Sequence, residues 1–160
     1  MLGWCHMNYL KAIYKRIYTN TFAYSKFEDR KELQKAIYLL ENMGVDVGDY
    51  SFTWDSYGPY SLSLDCEASQ LPDEAEDLQF QFSPFAEECF SRVKKIAEEK
   101  TSYDRTTWME CVASMYYLKN IFRYADENLI SELKRRKPYL KDDIANGTAL
   151  EVAKTIKVGA

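Results

Sequence analysis

Apolar positions recur every three or four residues along most of the chain and every second residue in two short segments. This pattern predicts a helical domain carrying a small β element. Tyr9, Leu10, Ile13, Tyr14 and Ile17 form the first stripe and predict a helix over about Asn8 to Tyr18. Ser25 and Glu28 have capping-box spacing, and Leu33, Ala36, Ile37, Leu40 and Met43 continue as one buried face until Gly44 stops the second helix. Arg30, Lys31, Gln34 and Lys35 fall mostly on its other side, which reads as a solvated face, with contact to a phosphate or an acidic partner as the alternative. Tyr50 to Trp54 then alternates with period two and predicts a strand, which Tyr57-Gly58-Pro59 is expected to break. Ser61 is positioned to cap a short third helix reaching Leu71.

Leu78 to Phe82 alternates again and is the second strand candidate, placed to pair with the first across the third helix. Ser83-Pro84 opens a fourth helix running to about Lys100, with Phe85, Cys89, Val93 and Ile96 inward. Thr107 and Glu110 read as another capping box. The fifth helix behind them carries Trp108, Cys111, Val112, Met115, Leu118 and Phe122 with few charges, and this predicts the central helix of the fold. Asp126 is the expected cap of a sixth helix that Pro138 ends, and Ala149 to Lys157 predicts a last one. The expected architecture is mainly α: one domain over residues 1–160, a bundle of six to seven helices with a two-stranded β ribbon. The ribbon and the second and third helices also fit a winged-helix-like element. Residues 1–7 read as a disordered leader.

Composition narrows the function. A chain of 160 residues can bury one substantial core, and its thirteen Tyr, eight Phe and three Trp supply much of it. The net charge of −4 argues against a general nucleic-acid binder. Charge is unevenly spread: Asp65 to Glu88 holds eight acids and no Lys or Arg, whereas Lys134, Arg135, Arg136 and Lys137 form a basic run. That run suits the C-terminal end of a helix without any nucleic acid. No apolar stretch reaches membrane-span length and no long apolar signal core is visible, so the expected location is cytoplasmic and no membrane is expected to be a partner. Cys5, Cys66, Cys89 and Cys111 lack paired spacing and read as reduced thiols. With His6 as the single histidine, neither a metal site nor a cofactor is expected.

Catalytic signals are sparse. One histidine leaves no Ser-His or Cys-His pair, and the dispersed glycines make no phosphate-cradling loop, so the chain reads as a non-enzyme. The stretch with unusual composition is Ser51 to Ser61, SFTWDSYGPYS. Aromatic rings on a rigid turn serve as binding anchors, and they serve equally to fasten a turn onto a core. Trp54, Asp55, Tyr57, Gly58, Pro59, Tyr60 and Ser61 are therefore the candidate partner-binding residues. The alternative is a nucleic-acid-associated regulator using Arg30, Lys31 and the run Lys134, Arg135, Arg136 and Lys137. Its third helix would make a poor reader, because Asp65 and Glu67 oppose phosphate and no basic residue offsets them. An enzyme of unknown reaction is the third reading.

Two motifs also carry a family resemblance. Leu33, Gln34, Lys35, Ile37 and Tyr38 on the second helix, followed by Tyr57, Gly58 and Pro59, resemble a pattern in small prokaryotic proteins related to the Panacea antitoxin domain. Trp108 to Leu118, with Lys137-Pro138 beyond, is similar to the second half of that pattern. The resemblance implies a mainly helical domain with a small strand pair. It further implies antitoxin-like work, in which a toxin partner is held inactive or delivered to a protease. No separate DNA-binding segment accompanies it here. Such a function is an expectation by analogy, since fold and motif do not themselves specify activity.

Overall fold

The protein is described by a computed structural model covering the backbone of residues 2–72 and 80–156, with side chains from Tyr9 onward. Among the described residues there are seven helices and one two-stranded antiparallel sheet, in the order α1 Leu2–Tyr18, α2 Phe27–Asn42, β1 Thr53–Asp55, β2 Gly58–Tyr60, α3 Leu62–Ser69, α4 Pro84–Ala97, α5 Arg105–Asn120, α6 Asp126–Arg136 and α7 Asp143–Lys154. The fold is mainly α with a small β ribbon, as the periodicity predicts. Helix α1 extends back to Leu2 and takes in most of the segment expected to be a leader.

Helix α5 sits at the centre, packed by α2, α6, α7 and β2. Its side chains from Trp108 to Leu118 are all buried, and the Trp108 indole donates to the Ile96 carbonyl at 2.8 Å, so the largest core ring leaves no unmet donor. Helices α1 and α4 pack together on the far side, and Phe82 leans edge-on against Phe90 with ring centroids 4.9 Å apart. Cys89 and Cys111 are free and buried on α4 and α5, while free Cys66 is exposed.

Several helix ends differ from the sequence-based expectation. Helix α2 begins after Lys26 with no side-chain cap; instead of a Ser25–Glu28 box, Asp29 accepts from the Ala23 amide at 3.0 Å and Arg30 donates to the Tyr24 carbonyl at 2.6 Å. Asp104, not Thr107, caps α5 by accepting from the Thr107 amide at 2.8 Å. Glu110 is thereby freed from capping and points into the interior. Ala125 occupies the cap position of α6, with Asp126 already inside the helix. Asp142, which the pattern does not mark, caps α7 through the Ile144 and Ala145 amides. Ser61 and Ser83 cap α3 and α4 as expected.

The ribbon is local. Strand β1 pairs with β2 in the register Thr53–Tyr60, Trp54–Pro59 and Asp55–Gly58, so the residues expected to break the first strand form its return. Gly58 explains why. Its φ of +92° reverses the chain after Ser56 and Tyr57, a conformation that glycine adopts without a Cβ penalty. Of the other strand candidate, 80–82 is irregular and 78–79 lies outside the described residues. The hairpin sits between α2 and α3, where a helix-turn-helix would have a tight turn.

Candidate functional site

Helix α2 and the hairpin are locked together by the side chains expected to be solvated. Gln34 is buried and reads the Ser61 backbone in both directions, donating to its carbonyl at 2.9 Å and accepting from its amide at 2.8 Å. Lys35 is buried beside it and donates to the Pro59 carbonyl at 2.7 Å. The Leu33–Tyr38 and Tyr57–Ser61 motifs are thus partners: the polar residues of one satisfy the free backbone groups of the other. The face of α2 bearing Lys31, Gln34 and Lys35 is internal because the hairpin presents carbonyl groups that need donors. An apolar face could not supply them.

Behind this contact lies a buried charge cluster. Glu110 of α5 is fully buried and forms ion pairs with Lys31 and, at 3.2 Å, with Lys137; it also accepts from the Tyr139 hydroxyl. Lys137 donates in addition to the Ser56 carbonyl at 2.6 Å, tying the residue after α6 to the hairpin turn. Three lysines therefore surround one buried carboxylate. Lys31 and Lys137 take its two oxygens, whereas Lys35 has no carboxylate at ion-pairing distance among the described residues. Burial lowers the Lys35 pKa to about 7, with the positive charges of Lys31 and Lys137 pushing the same way and Glu110 opposing. Burial also lowers that of Lys137. The Tyr139 phenol is raised by burial and then by its bond to Glu110.

An open cleft of about 270 Å³ leads towards this cluster between α2, the hairpin and α3. Lys31, Gln34 and Lys35 lie on its α2 wall, and Asp55, Tyr60 and Asp65 on the other. At its lip Phe27 and Tyr57 meet edge to face, with centroids 5.1 Å apart and each ring more than 40% exposed. The Lys31 ammonium lies 4.9 Å above the Tyr57 ring. Tyr60 donates to Asp65 at 2.8 Å, and burial together with that bond pushes its phenol up to about 12. Arg30 stacks on Tyr24 and Phe27, so its charge is already engaged.

The seven candidate residues of the aromatic turn separate. Asp55, Tyr57 and Tyr60 line the cleft. Gly58, Pro59 and Ser61 are buried, and a Cβ at Gly58 would stand 2.4 Å from the Ser114 hydroxyl, so that glycine allows the hairpin to close on α5. Trp54 turns the other way, against Tyr117 at 5.6 Å and Phe122 at 6.1 Å, with Arg136 and Lys137 over its ring. The basic residues of the alternative reading do not share a face. Arg30 and Lys31 are at the cleft, Lys137 is internal, Arg136 sits among aromatic rings, Arg135 pairs with Glu132, and Lys134 pairs with Asp143 at 3.0 Å. Phe27, Gln34, Lys35, Asp65 and Glu110 belong to the site although the sequence pattern does not mark them as site residues. The available signal was the Gln34-Lys35 pair inside the second-helix motif, whose polar residues match the hydrogen-bonding needs of a Gly-Pro turn.

No helix among the described residues is long and apolar enough to cross a membrane. Compared with known proteins, the chain matches no family model, no curated protein and no solved structure.

Proposed function

We propose that the protein is an interaction module that seats a segment of another protein in the cleft between α2 and the β hairpin. The observation that carries this reading is the exposed Phe27–Tyr57 pair at the lip of a cleft whose walls are held by buried hydrogen bonds. Such an anchor offers ring area to a partner while losing little freedom, because Lys35, Gln34 and Lys137 already fix the hairpin. The antitoxin-like role implied by the motif resemblance is one form of this activity: the bound segment would belong to a toxin, or to a toxin being delivered to a protease in the cytoplasm.

The test is site-specific photo-crosslinking in cells, with a photoreactive residue replacing Tyr57 in one variant and Ile144, a highly exposed residue of α7, in another. A discrete protein adduct from position 57 and none from 144 is the expected result. Identical patterns from both positions, or no adduct from 57, would remove the reading. For the antitoxin form, growth arrest caused by the product of an adjacent gene should be relieved by this chain and not by its Phe27→Ala/Tyr57→Ala variant.

A further inference from the structure

We propose that the cleft recognises a carboxylate, that of the C-terminal residue of the partner chain, through the ammonium group of Lys35. The inference rests on the interaction reading above and names the chemistry of the segment bound.

The first ground is charge balance. Buried charges are ordinarily paired, because an isolated ion in a low-dielectric interior is costly. Lys31, Lys35 and Lys137 converge on this interior, and Glu110 answers two of them. Among the described residues Lys35 keeps a single carbonyl contact, at Pro59, although an ammonium group has three donors. Lys35, although almost wholly buried, is among the residues that line the open cleft, and the Asp55 carboxylate in the same lining acts on it without pairing with it at ion-pair distance.

The second ground selects the kind of anion. Asp55 and Asp65 stand on the opposite wall, and Asp65 is held there by the hydroxyls of Tyr24 and Tyr60. Two carboxylates facing the entrance disfavour a multiply charged phosphate more than a singly charged carboxylate. The third ground selects the chain end. The exposed apolar contacts are confined to one lip, because Phe27 and Tyr57 touch each other. A terminal residue needs one apolar contact for its side chain and one cation for its α-carboxylate. The space of about 270 Å³ admits a short segment and not a folded element.

Protonation makes the proposal measurable. Lys35 has a pKa of about 7, so an arriving carboxylate favours its charged form and draws a proton onto it near and above neutrality. Glu110, Lys31, Lys137 and Asp55 are the charged groups that act on Lys35, and burial raises the nearby Tyr139 phenol. Affinity for a carboxylate should then fall as pH rises above neutrality, by at most about tenfold per unit and only until the raised Lys35 pKa of the complex is passed.

The experiment uses the full chain with isotopically labelled lysine and follows the Lys35 side-chain resonance by NMR. The probes are N-acetylphenylalanine and N-acetylphenylalaninamide, with acetate and an amidated peptide containing an internal glutamate as comparisons. Binding of the acid at least tenfold tighter than the amide, with a raised Lys35 pKa, is expected. Lys35→Met should bring acid and amide to the same weak affinity. Equal binding of acid and amide by the unaltered protein would overturn the proposal without needing any variant to fold. Acetate matching N-acetylphenylalanine would reduce the site to an adventitious anion site. Equal binding of the amidated glutamate peptide would overturn the assignment to a chain end. If the carboxylate proposal fails while crosslinking from position 57 persists, the interaction reading stands with another ligand chemistry.

Discussion

The hairpin has two unlike sides. Towards α5 and α6, Trp54 is packed among Tyr117, Phe122 and Arg136, a contact made of ring surfaces. Towards α2, the same short element meets lysine ammonium groups, a glutamine amide and the buried Glu110. On the ring side aromatic faces meet one another directly. The charged side leaves a cleft, because donors and carboxylates must meet at fixed distances and cannot close space as freely as apolar groups do. A short ribbon cannot be stable alone, and here one side supplies its anchorage and the other its chemistry.

The contrast can be broken from the charged side first. Glu110→Gln keeps the volume and removes the counter-charge of Lys31 and Lys137, so it should destabilise the fold by about 3–5 kcal/mol in urea denaturation. An effect within experimental error would mean that the lysines are held by their carbonyl contacts and that the ion pairs contribute little. Trp54→Ala tests the ring side. The residue is only partly buried, so a loss of about 2 kcal/mol is expected, below the value for a fully enclosed tryptophan. A loss as large as that of Glu110→Gln would reverse the ranking of the two sides.

A third test uses pH. Between about 7 and 9.5 the unfolded chain still holds the Lys35 proton that the folded chain has released, so stability should rise with pH across this window. Lys35→Met should remove one proton's share of that rise in denaturation curves measured at several pH values. Lys137, lowered in the same direction, should leave some slope behind. An unchanged slope would mean that Lys35 stays charged in the native protein. The smallest effect belongs to Tyr57→Ala, whose exposed ring should cost within about 0.5 kcal/mol of stability. A larger loss in thermal melts would make Tyr57 part of the scaffold and remove it as an anchor.

Much of the helical framework is legible in the sequence because it follows from apolar periodicity. The stripe of α2, that of α5 as far as Leu118, the stop at Gly44 and the caps at Ser61 and Ser83 are local signals, and the structure carries them; Phe122, expected on the α5 stripe, lies beyond the helix and is exposed. The site is legible only in part. Its hairpin half advertises itself by composition, but Gln34 and Lys35 lie on what reads as the wet side of an amphipathic helix. Their burial depends on carbonyl groups of residues 59 and 61, a pairing invisible to a window one helix long. Glu110 shows the same limit. Its spacing from Thr107 fits a capping box, and Asp104 takes that role instead because its carboxylate reaches the Thr107 amide. The ribbon differs from the expected pairing for a related reason: alternation marks a strand and does not name its neighbour.

The contact between Gln34, Lys35 and the hairpin also decides where a further strand can join. Pro59 has no amide hydrogen, its carbonyl is occupied by Lys35, and both backbone groups of Ser61 are taken by Gln34. The β2 edge therefore has nothing left with which to extend the sheet, and helix α2 protects it from the edge-to-edge association that exposed strands invite. Any extended polypeptide adding to this sheet must enter along β1, beside Trp54.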